Sequence, residues 1–139
     1  MVYSVQDIAR LFDIRNQLVV EVNGTGVAAG LCGYRRKYNT YPEDAKMTYT
    51  ESCPKRSDTD QYDKVLARFG YKLLTEKQSL DTANGRIWIE MEDKECLLWS
   101  VGQDHEDNYA ASHTDDGATG DIVIWPPIKA LSRKKGLMK

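Results

Sequence analysis

The stretch ECLLWSVGQDHEDNYAASHTDDGATGDIVIWPP, Glu95 to Pro127, decides the fold of this chain. Both of its ends read as β-strands: Cys96 to Val101 is a short apolar run with side chains on two alternating faces, and Ile122 to Trp125 repeats that pattern. Between the two ends the sequence has no apolar periodicity. This intervening loop carries six carboxylates, at Asp104, Glu106, Asp107, Asp115, Asp116 and Asp121.

So long a connection inside a small domain is usually functional or disordered. Six mutually repelling carboxylates favour disorder unless a cation neutralises them, and Ca²⁺ accepts six to eight oxygens in flexible geometry. Two interpretations of the loop therefore stay open, a solvated acidic loop and a divalent cation site.

Composition limits the class of protein. The chain has 139 residues, 41% of them hydrophobic, which is enough for one domain with a modest core. A net charge of -2 gives no reason to expect nucleic acid or an anionic membrane as partner. The sequence shows neither an apolar run of membrane-spanning length nor a signal-peptide pattern, so we expect this chain itself to be soluble.

Three cysteines are too few for a disulfide framework. Cys32 and Cys96 read as small core residues. Cys53 lies in a polar stretch, and a bridge from Cys32 to Cys53 stays open for a domain that works outside the cytosol.

The N-terminal residues 1–40 predict a long amphipathic helix. Ser4 is suited to the N-cap and Asp7 to the first turn, and apolar residues recur at helical spacing at Val5, Ile8, Leu11, Phe12, Leu18, Val19 and Val22. Gly24 and Gly26 weaken the middle, where each glycine costs about 1 kcal/mol relative to alanine. Either the helix breaks there or small residues let another element approach closely, and we favour one continuous helix. It should end between Asn39 and Pro42.

The remaining chain predicts a small antiparallel sheet. Residues 41–84 read as a connecting region, with a possible short helix from Tyr62 that ends at Gly70 and turns into extended chain over Tyr71 to Leu74. Residues 85–127 read as three or four strands. We expect Arg86 to Glu92 to form a hairpin with Cys96 to Val101 through Asp93-Lys94, with Asn84-Gly85 as a second turn. The fold class is α+β, with the long helix covering one face of the sheet.

The last residues, 128–139, form a basic tail with the sequence IKALSRKKGLMK. A frayed, solvated terminus is the simpler interpretation. The alternative is that the tail pairs with the acidic loop or with a neighbouring subunit.

Two motifs resemble the type IV pilin-like proteins, especially the major pseudopilins of type II secretion. LCGYRRKYNTYPED resembles the junction between the N-terminal helix and the globular head of that family, with matches at Tyr34, Arg35, Tyr38, Tyr41 and Pro42. LLWSVGQD, followed by the acidic loop and GDIVIW, resembles the calcium loop of that family. The resemblance implies a pilin-like fold and a Ca²⁺ ion in the loop.

The resemblance also implies which residues bind the ion. Asp104 and Asp121 match the two aspartates that follow and precede the strands. Thr119 stands where the family often has an acid, so Asp116 or Asp115 would supply the third side chain, together with backbone carbonyls near Trp99 and Val101. The loop is longer than usual, and its His105 and His113 give a weaker alternative, a transition-metal site.

The function implied is that of a structural subunit. It would associate with other pseudopilins into a helical filament of a secretion machinery in the periplasm or cell envelope, anchored in the inner membrane through an N-terminal segment that this chain does not contain. We expect no enzymatic activity, because the sequence has no nucleophile elbow, phosphate-cradling loop or zinc signature. The alternative is an extracellular ligand- or carbohydrate-binding module that uses Trp88, Trp99 and Trp125 as a stacking platform.

Overall fold

The computed structural model describes residues 4–45, 60, 62, 68–90 and 95–139. It begins with one continuous helix, α1 (Val5–Tyr38), of 34 residues. Cys53, the Asp93-Lys94 turn and the centre of the possible short helix, Val65 and Leu66, lie outside the described residues. The turn and the short helix predicted there therefore stay predictions.

Both ends of α1 follow from the residues that cap it. At the start, the Ser4 hydroxyl accepts a hydrogen bond from the backbone N–H of Asp7 (3.2 Å), and the Asp7 carboxylate accepts one from the Ser4 N–H (3.1 Å). At the end, Asn39 adopts the left-handed conformation with φ 61° and donates its N–H to the Arg35 carbonyl (2.7 Å). The predicted start and end of the helix are both confirmed.

The glycines in the middle of α1 do not break it. Gly24 is buried against a strand, and a Cβ at this position would lie 2.2 Å from Cδ1 of Ile124. Contacts below about 3 Å do not occur between real carbon atoms, so any larger residue at this position would force the Ile124 side chain to shift. Of the two interpretations, the close approach is the one that the structure shows.

The sheet has two parts. Three antiparallel strands, β1 (Gly70–Leu73), β4 (Cys96–Ser100) and β5 (Ile122–Trp125), lie in the order β1-β4-β5. A separate antiparallel pair consists of β2 (Gln78–Thr82) and β3 (Gly85–Ile89). The fold class is therefore α+β, with a long N-terminal helix and small antiparallel sheets, as predicted.

The central strand β4 is buried on both faces, and its side chains alternate between two cores. Cys96 and Leu98 face α1 and join the cluster that contains Val20, Val27 and Leu31. Leu97 and Trp99 face the opposite way, toward a second cluster whose members include Leu80 and Ile87 of the β2-β3 pair and Ile128. Hence β4 packs against both core clusters, and the acidic loop begins at the end of a strand that is held on both faces.

The predicted hairpin between Arg86 to Glu92 and Cys96 to Val101 is wrong. Strand β3 pairs with β2, with Arg86 opposite Asp81, and β4 pairs with β1 and β5. The turn consists of Ala83 and Asn84, and it is followed directly by Gly85, which has φ 124° and pairs with Thr82. The glycine turn, which tolerates positive φ, sets the pairing.

Residues 41–84 are more than a connecting region, because they contain β1 and β2. Strand β2, QSLDT, has only one buried residue, Leu80, so its sequence lacks a clear alternating pattern. Strand β1 begins at Gly70, where the possible short helix was predicted to end, and the extended chain predicted from Tyr71 is confirmed.

The basic tail is folded over its first half. Helix α2 (Ile128–Lys134) buries Ile128 and Ser132, so a frayed terminus is wrong for these residues. Ile128 belongs to the second core cluster, which explains why the segment is held in place.

Cys32 and Cys96 are free thiols, so the bridge from Cys32 to Cys53 is not formed, and Cys32 is only half-buried where a core position was predicted. Cys96 is fully buried as predicted, and burial raises the pKa of its thiol to about 12. Of the helices that the structure describes, none combines the length and apolarity needed to cross a bilayer.

Candidate functional site in the acidic loop

The acidic loop leaves β4 and returns to β5 through a tight crossing of two glycines. Gly102 has φ 77° and Gly117 has φ 68°. A Cβ on Gly102 would lie 2.6 Å from the Gly117 carbonyl oxygen, so the two backbones touch. The Asp104 N–H also donates to the Gly117 carbonyl (3.3 Å). This crossing brings the two ends of the loop together, so residues 103–116 form a closed loop above it.

Asp121 is the centre around which the loop folds. Its side chain is fully buried at 0% exposure. The carboxylate accepts the backbone N–H of Ala110 (2.8 Å) and of Asn108 (3.2 Å to Oδ2). A buried carboxylate that collects N–H groups from a loop replaces the ladder hydrogen bonds that the loop lacks.

The surroundings of Asp121 disfavour the ionised form of its carboxyl group. Burial raises the pKa of this carboxyl to about 6, although the N–H donors of Ala110 and Asn108 lower it in part. The charges of Asp107 and Asp104 raise it further. These three carboxylates therefore lie within electrostatic range of one another, as a site for a cation requires.

Most other acids of the loop are used in short local turns. Asp104 accepts the Glu106 N–H (3.0 Å), and Asp116 accepts the Ala118 N–H (3.0 Å). Asp107 makes a longer-range contact: its Oδ1 accepts both the indole N–H of Trp99 (3.0 Å) and the Tyr109 N–H (2.9 Å). Hydrogen bonds of this kind order the loop locally.

Asp115 is directed away from this group. Its carboxylate lies 3.4 Å from Nε2 of His113 and 3.9 Å from Nζ of Lys129 in α2. Its carbonyl accepts a hydrogen bond from the Gln17 side chain of α1 (2.9 Å). Asp115 thus connects the loop to both helices.

The predicted Ca²⁺ ligands are brought together only in part. Asp104 and Asp121 are close, but both oxygens of Asp121 already accept N–H groups, Asp115 pairs elsewhere and Thr119 is exposed. Among the residues that the structure describes, no three His, Cys, Asp or Glu side chains converge in a way that holds a metal ion. The arrangement as it stands does not supply the six or more oxygens that Ca²⁺ takes. Calcium at this loop stays a prediction.

The two histidines of the loop have separate structural partners. His113 accepts the Val123 N–H through Nδ1 (2.9 Å), and burial lowers the pKa of its imidazole. His105 donates through Nδ1 to the Tyr62 carbonyl (2.6 Å). Each ring therefore holds the loop to a neighbouring segment.

Asp60 is a second buried acid that the sequence did not reveal. Its carboxylate accepts the Ser100 hydroxyl (2.8 Å) and the backbone N–H groups of Val101 (3.0 Å) and Tyr62 (3.0 Å). It fixes the end of β4, where the acidic loop begins. In sequence Asp60 is one acid among several in a polar stretch, and no local signal separates it from the others.

A different surface lies on the N-terminal half of α1. Seven large apolar side chains there are between 46% and 84% exposed: Val5, Ile8, Leu11, Phe12, Ile14, Leu18 and Val22. With 3.6 residues per turn, most of them fall on the side of the helix roughly opposite to Val20, Val27 and Leu31, which pack on the sheet. We call Ile8, Leu11, Phe12, Leu18 and Val22 the apolar stripe.

The three tryptophans do not share an exposed face. Trp88 is 45% exposed on β3, whereas Trp99 is 4% exposed in the second core. Trp125 is half-buried and donates its indole N–H to Glu95 (2.9 Å). A platform built from all three is therefore not formed.

Comparison with known proteins adds no relative: no protein family, no curated protein and no solved structure matches this chain.

Proposed function

We propose that this chain is a structural subunit of a pilus-like or pseudopilus filament of the type II secretion kind, assembled through its N-terminal helices in the periplasm or cell envelope. Its partners would be further subunits and the secretion machinery. The observation that carries the proposal is the apolar stripe of α1, which is exposed on the side turned away from the head.

The exposed apolar side chains of the stripe are typical of a surface that is buried in a complex. Exposed Arg15 lies between Leu11 and Leu18 on the same side, so the stripe consists of two apolar parts with one cation between them. Monomeric proteins rarely expose large apolar patches unless they bind something. The head of this molecule uses the opposite side of α1 for its own core, so the stripe is not needed for folding. A helix with one side in its own domain and the other side free can pack against the helices of neighbouring copies.

The energetics favour weak association of isolated heads. Full burial of one Leu, Ile, Phe or Val side chain contributes about 1.5–3 kcal/mol, and the stripe residues are already part-covered, so five of them contribute about 5 kcal/mol together. Association of two molecules costs about 4–15 kcal/mol in lost freedom. One such contact is therefore marginal, and a filament would gain stability by repeating it between many subunits.

The proposal does not depend on calcium, because hydrogen bonds to Asp121 order the loop and the stripe lies outside it. The binding-module alternative would require an exposed aromatic surface, and only Trp88 of the three tryptophans offers one among the described residues.

The test compares two double variants of equal charge. Leu11→Asp with Leu18→Asp places two charges in the stripe, whereas Gln6→Asp with Ala9→Asp places two on the opposite side of the same helix segment. We expect the parent and the control to show weak, concentration-dependent oligomers by sedimentation velocity, and the stripe variant to stay monomeric. A tight closed dimer of the parent, unaffected by the stripe variant, would contradict the proposal.

A further inference from the structure

Charge is segregated between two segments of this chain. Residues 102–121 contain six acids and no Lys or Arg, whereas residues 128–139 contain five Lys or Arg and no acid. Among the described residues, Lys129 and Asp115 form the one ion pair between these segments, and it is long and exposed. The molecule therefore presents an acidic and a basic surface that are not neutralised by each other.

The basic surface surrounds the exposed indole of Trp88. Lys77 lies over this ring at 5.1 Å from its centroid, and Lys135 donates to the Trp88 carbonyl. Two open grooves flank the residue, of about 300 Å³ toward Lys134 and about 380 Å³ toward Arg86. We call Lys77, Arg86, Trp88, Lys134 and Lys135 the Trp88 surface.

The walls of the grooves are mixed. Leu131 and Pro126 line one, and Leu137 lines the other, so each can take an apolar ring. Acids are also present. Glu90 lines both grooves, but Glu95 is engaged by the Trp125 indole and Asp81 is paired with Arg86 (2.7 Å). Four cations, Lys77, Arg86, Lys134 and Lys135, therefore face three acids at this surface, and of these acids Glu90 alone has no partner named above.

The acidic surface ends in a fixed tip. Tyr109 is 73% exposed, and its backbone has φ 54° because Asp107 holds the Tyr109 N–H. Glu106 is exposed beside it. We call residues 104–109 the acidic tip. An aromatic ring flanked by carboxylates is complementary to an indole and grooves flanked by ammonium groups.

We propose that the acidic tip of one copy docks on the Trp88 surface of a second copy, with the Tyr109 ring in a groove beside Trp88 and Glu106 near Lys77 or Lys134. This rests on the proposed function, since it supplies the contact between heads that accompanies the packing of α1. The two surfaces are different, so the contact is heterologous and propagates from copy to copy.

Two variants, each lacking one surface, test the proposal by mixing. Variant A, Lys77→Ala with Lys134→Ala, keeps the acidic tip but loses the Trp88 surface. Variant B, Glu106→Gln with Tyr109→Ala, keeps the Trp88 surface but loses the tip. Each alone should self-associate at least about tenfold more weakly than the parent in sedimentation equilibrium at low salt, because one half of every contact is missing.

The mixture of A and B should regain association that neither variant shows alone, because A offers an intact tip and B an intact Trp88 surface. Added salt should weaken it, since the charges are exposed. Matched controls, Arg36→Ala with Arg68→Ala for variant A and Glu43→Gln for variant B, remove the same number of charges elsewhere and should behave as the parent.

The possible failures are distinguishable. A mixture that stays monomeric, or a parent that does not self-associate, overturns the docking proposal, as does association that A and B leave unchanged. Association that is lost in the stripe variant but not in A or B overturns the docking and keeps the filament proposal. Association regained by mixing A and B, beside an unaffected stripe variant, supports the docking and counts against the filament. Saturable binding of neutral oligosaccharide at Trp88 that displaces the second copy would assign this surface to a glycan instead.

Discussion

Replacing Asp121 with alanine should destabilise the protein even when no divalent cation is present. The change leaves the N–H groups of Asn108 and Ala110 in the interior without their acceptor. Each unsatisfied donor costs about 1–3 kcal/mol, so the loss is about 2–6 kcal/mol before compensation. Relief of the buried charge, whose pKa is raised to about 6, offsets part of it. We expect a net loss of about 2–3 kcal/mol in the free energy of unfolding, measured by urea denaturation at neutral pH with a chelator.

The calcium prediction is separated from this effect by repeating the measurement with calcium. An ion that binds only the folded state adds about 2.7 kcal/mol at one hundred times its dissociation constant. That gain should be absent in Asp121→Ala and also in Asp116→Ala, which in chelator should be near neutral because Asp116 is exposed. Equal stability of the parent with calcium and with chelator would contradict the metal site. Equal stability of the parent and Asp121→Ala in chelator would refute the role of the carboxylate as the centre of the loop.

Three further variants or conditions probe the fold. Gly24→Ala should lower the free energy of unfolding by about 1 kcal/mol, because overpacking against Ile124 costs about 1–3 kcal/mol and the gain in helix propensity is about 1 kcal/mol. Adding Ile124→Val to the same chain should recover part of the loss. If chemical denaturation showed Gly24→Ala alone to be more stable than the parent, the close contact would be contradicted. Asp60→Ala should cost about 3 kcal/mol, visible as a lower Tm, since three donors lose their acceptor; an unchanged Tm would mean that Asp60 does not hold the end of β4. Because burial raises the folded pKa of Asp121 above its unfolded value, its contribution is most favourable below the unfolded pKa near 3.8 and is lost as pH rises through about 6. The folded pKa of His113 is lowered, so His113 destabilises the protein as pH falls below its ordinary pKa of 6.5. The test therefore compares the free energy of unfolding of the parent with that of Asp121→Asn, which keeps His113, from pH 7.5 to about 4.5. The parent should gain stability relative to the variant as pH falls, and a difference that does not change with pH would contradict the raised pKa of Asp121.

The helix was the part of the fold that local sequence specified best. Ser4 and Asp7 form a capping box, and Asn39 is one of the few residues besides glycine that adopts positive φ readily. These signals act over three or four residues, so they can be read without the tertiary structure. The continuity of α1 through Gly24 was predicted by weighing two possibilities, and what decides it is Ile124, a residue far away in sequence.

Strand pairing was less accessible. Periodicity identified β3, β4 and β5 as strands but could not say which strands are neighbours. The hairpin was placed after β3, whereas the Ala83-Asn84 turn before β3 supplies it. Strand β2 was missed because a single buried leucine gives no alternation. Pairing depends on contacts between distant residues, and turn chemistry is the only local evidence for it.

For the site, the sequence singled out Asp121 and Asp104 because each lies close to a strand end, and the charge of Asp104 does act on the carboxyl of Asp121; their role as calcium ligands stays a prediction. It did not show that Asp121 would be enclosed by backbone N–H groups, since that depends on the positive φ values of Tyr109 and Ala110. Nor did it reveal Asp60, whose partners are distant along the chain.

Because α1 has one apolar side in the head and another in the stripe, the rotation between these two sides matters as well as the length of the helix. Inserting one residue between Phe12 and Asp13, ahead of the contacts that Asp13, Gln17 and Val20 make with the head, would keep every local propensity but rotate the start of the stripe by about 100° relative to the head. Seven inserted residues, close to two turns, would rotate it by only about 20° while lengthening the helix by about 10 Å. The length of α1 ahead of the head therefore sets both the rotation and the distance of the start of the stripe relative to the head. Insertions there should be tolerated by assembly at 7 or 11 residues and rejected at intermediate lengths, even where the head folds equally well in each case.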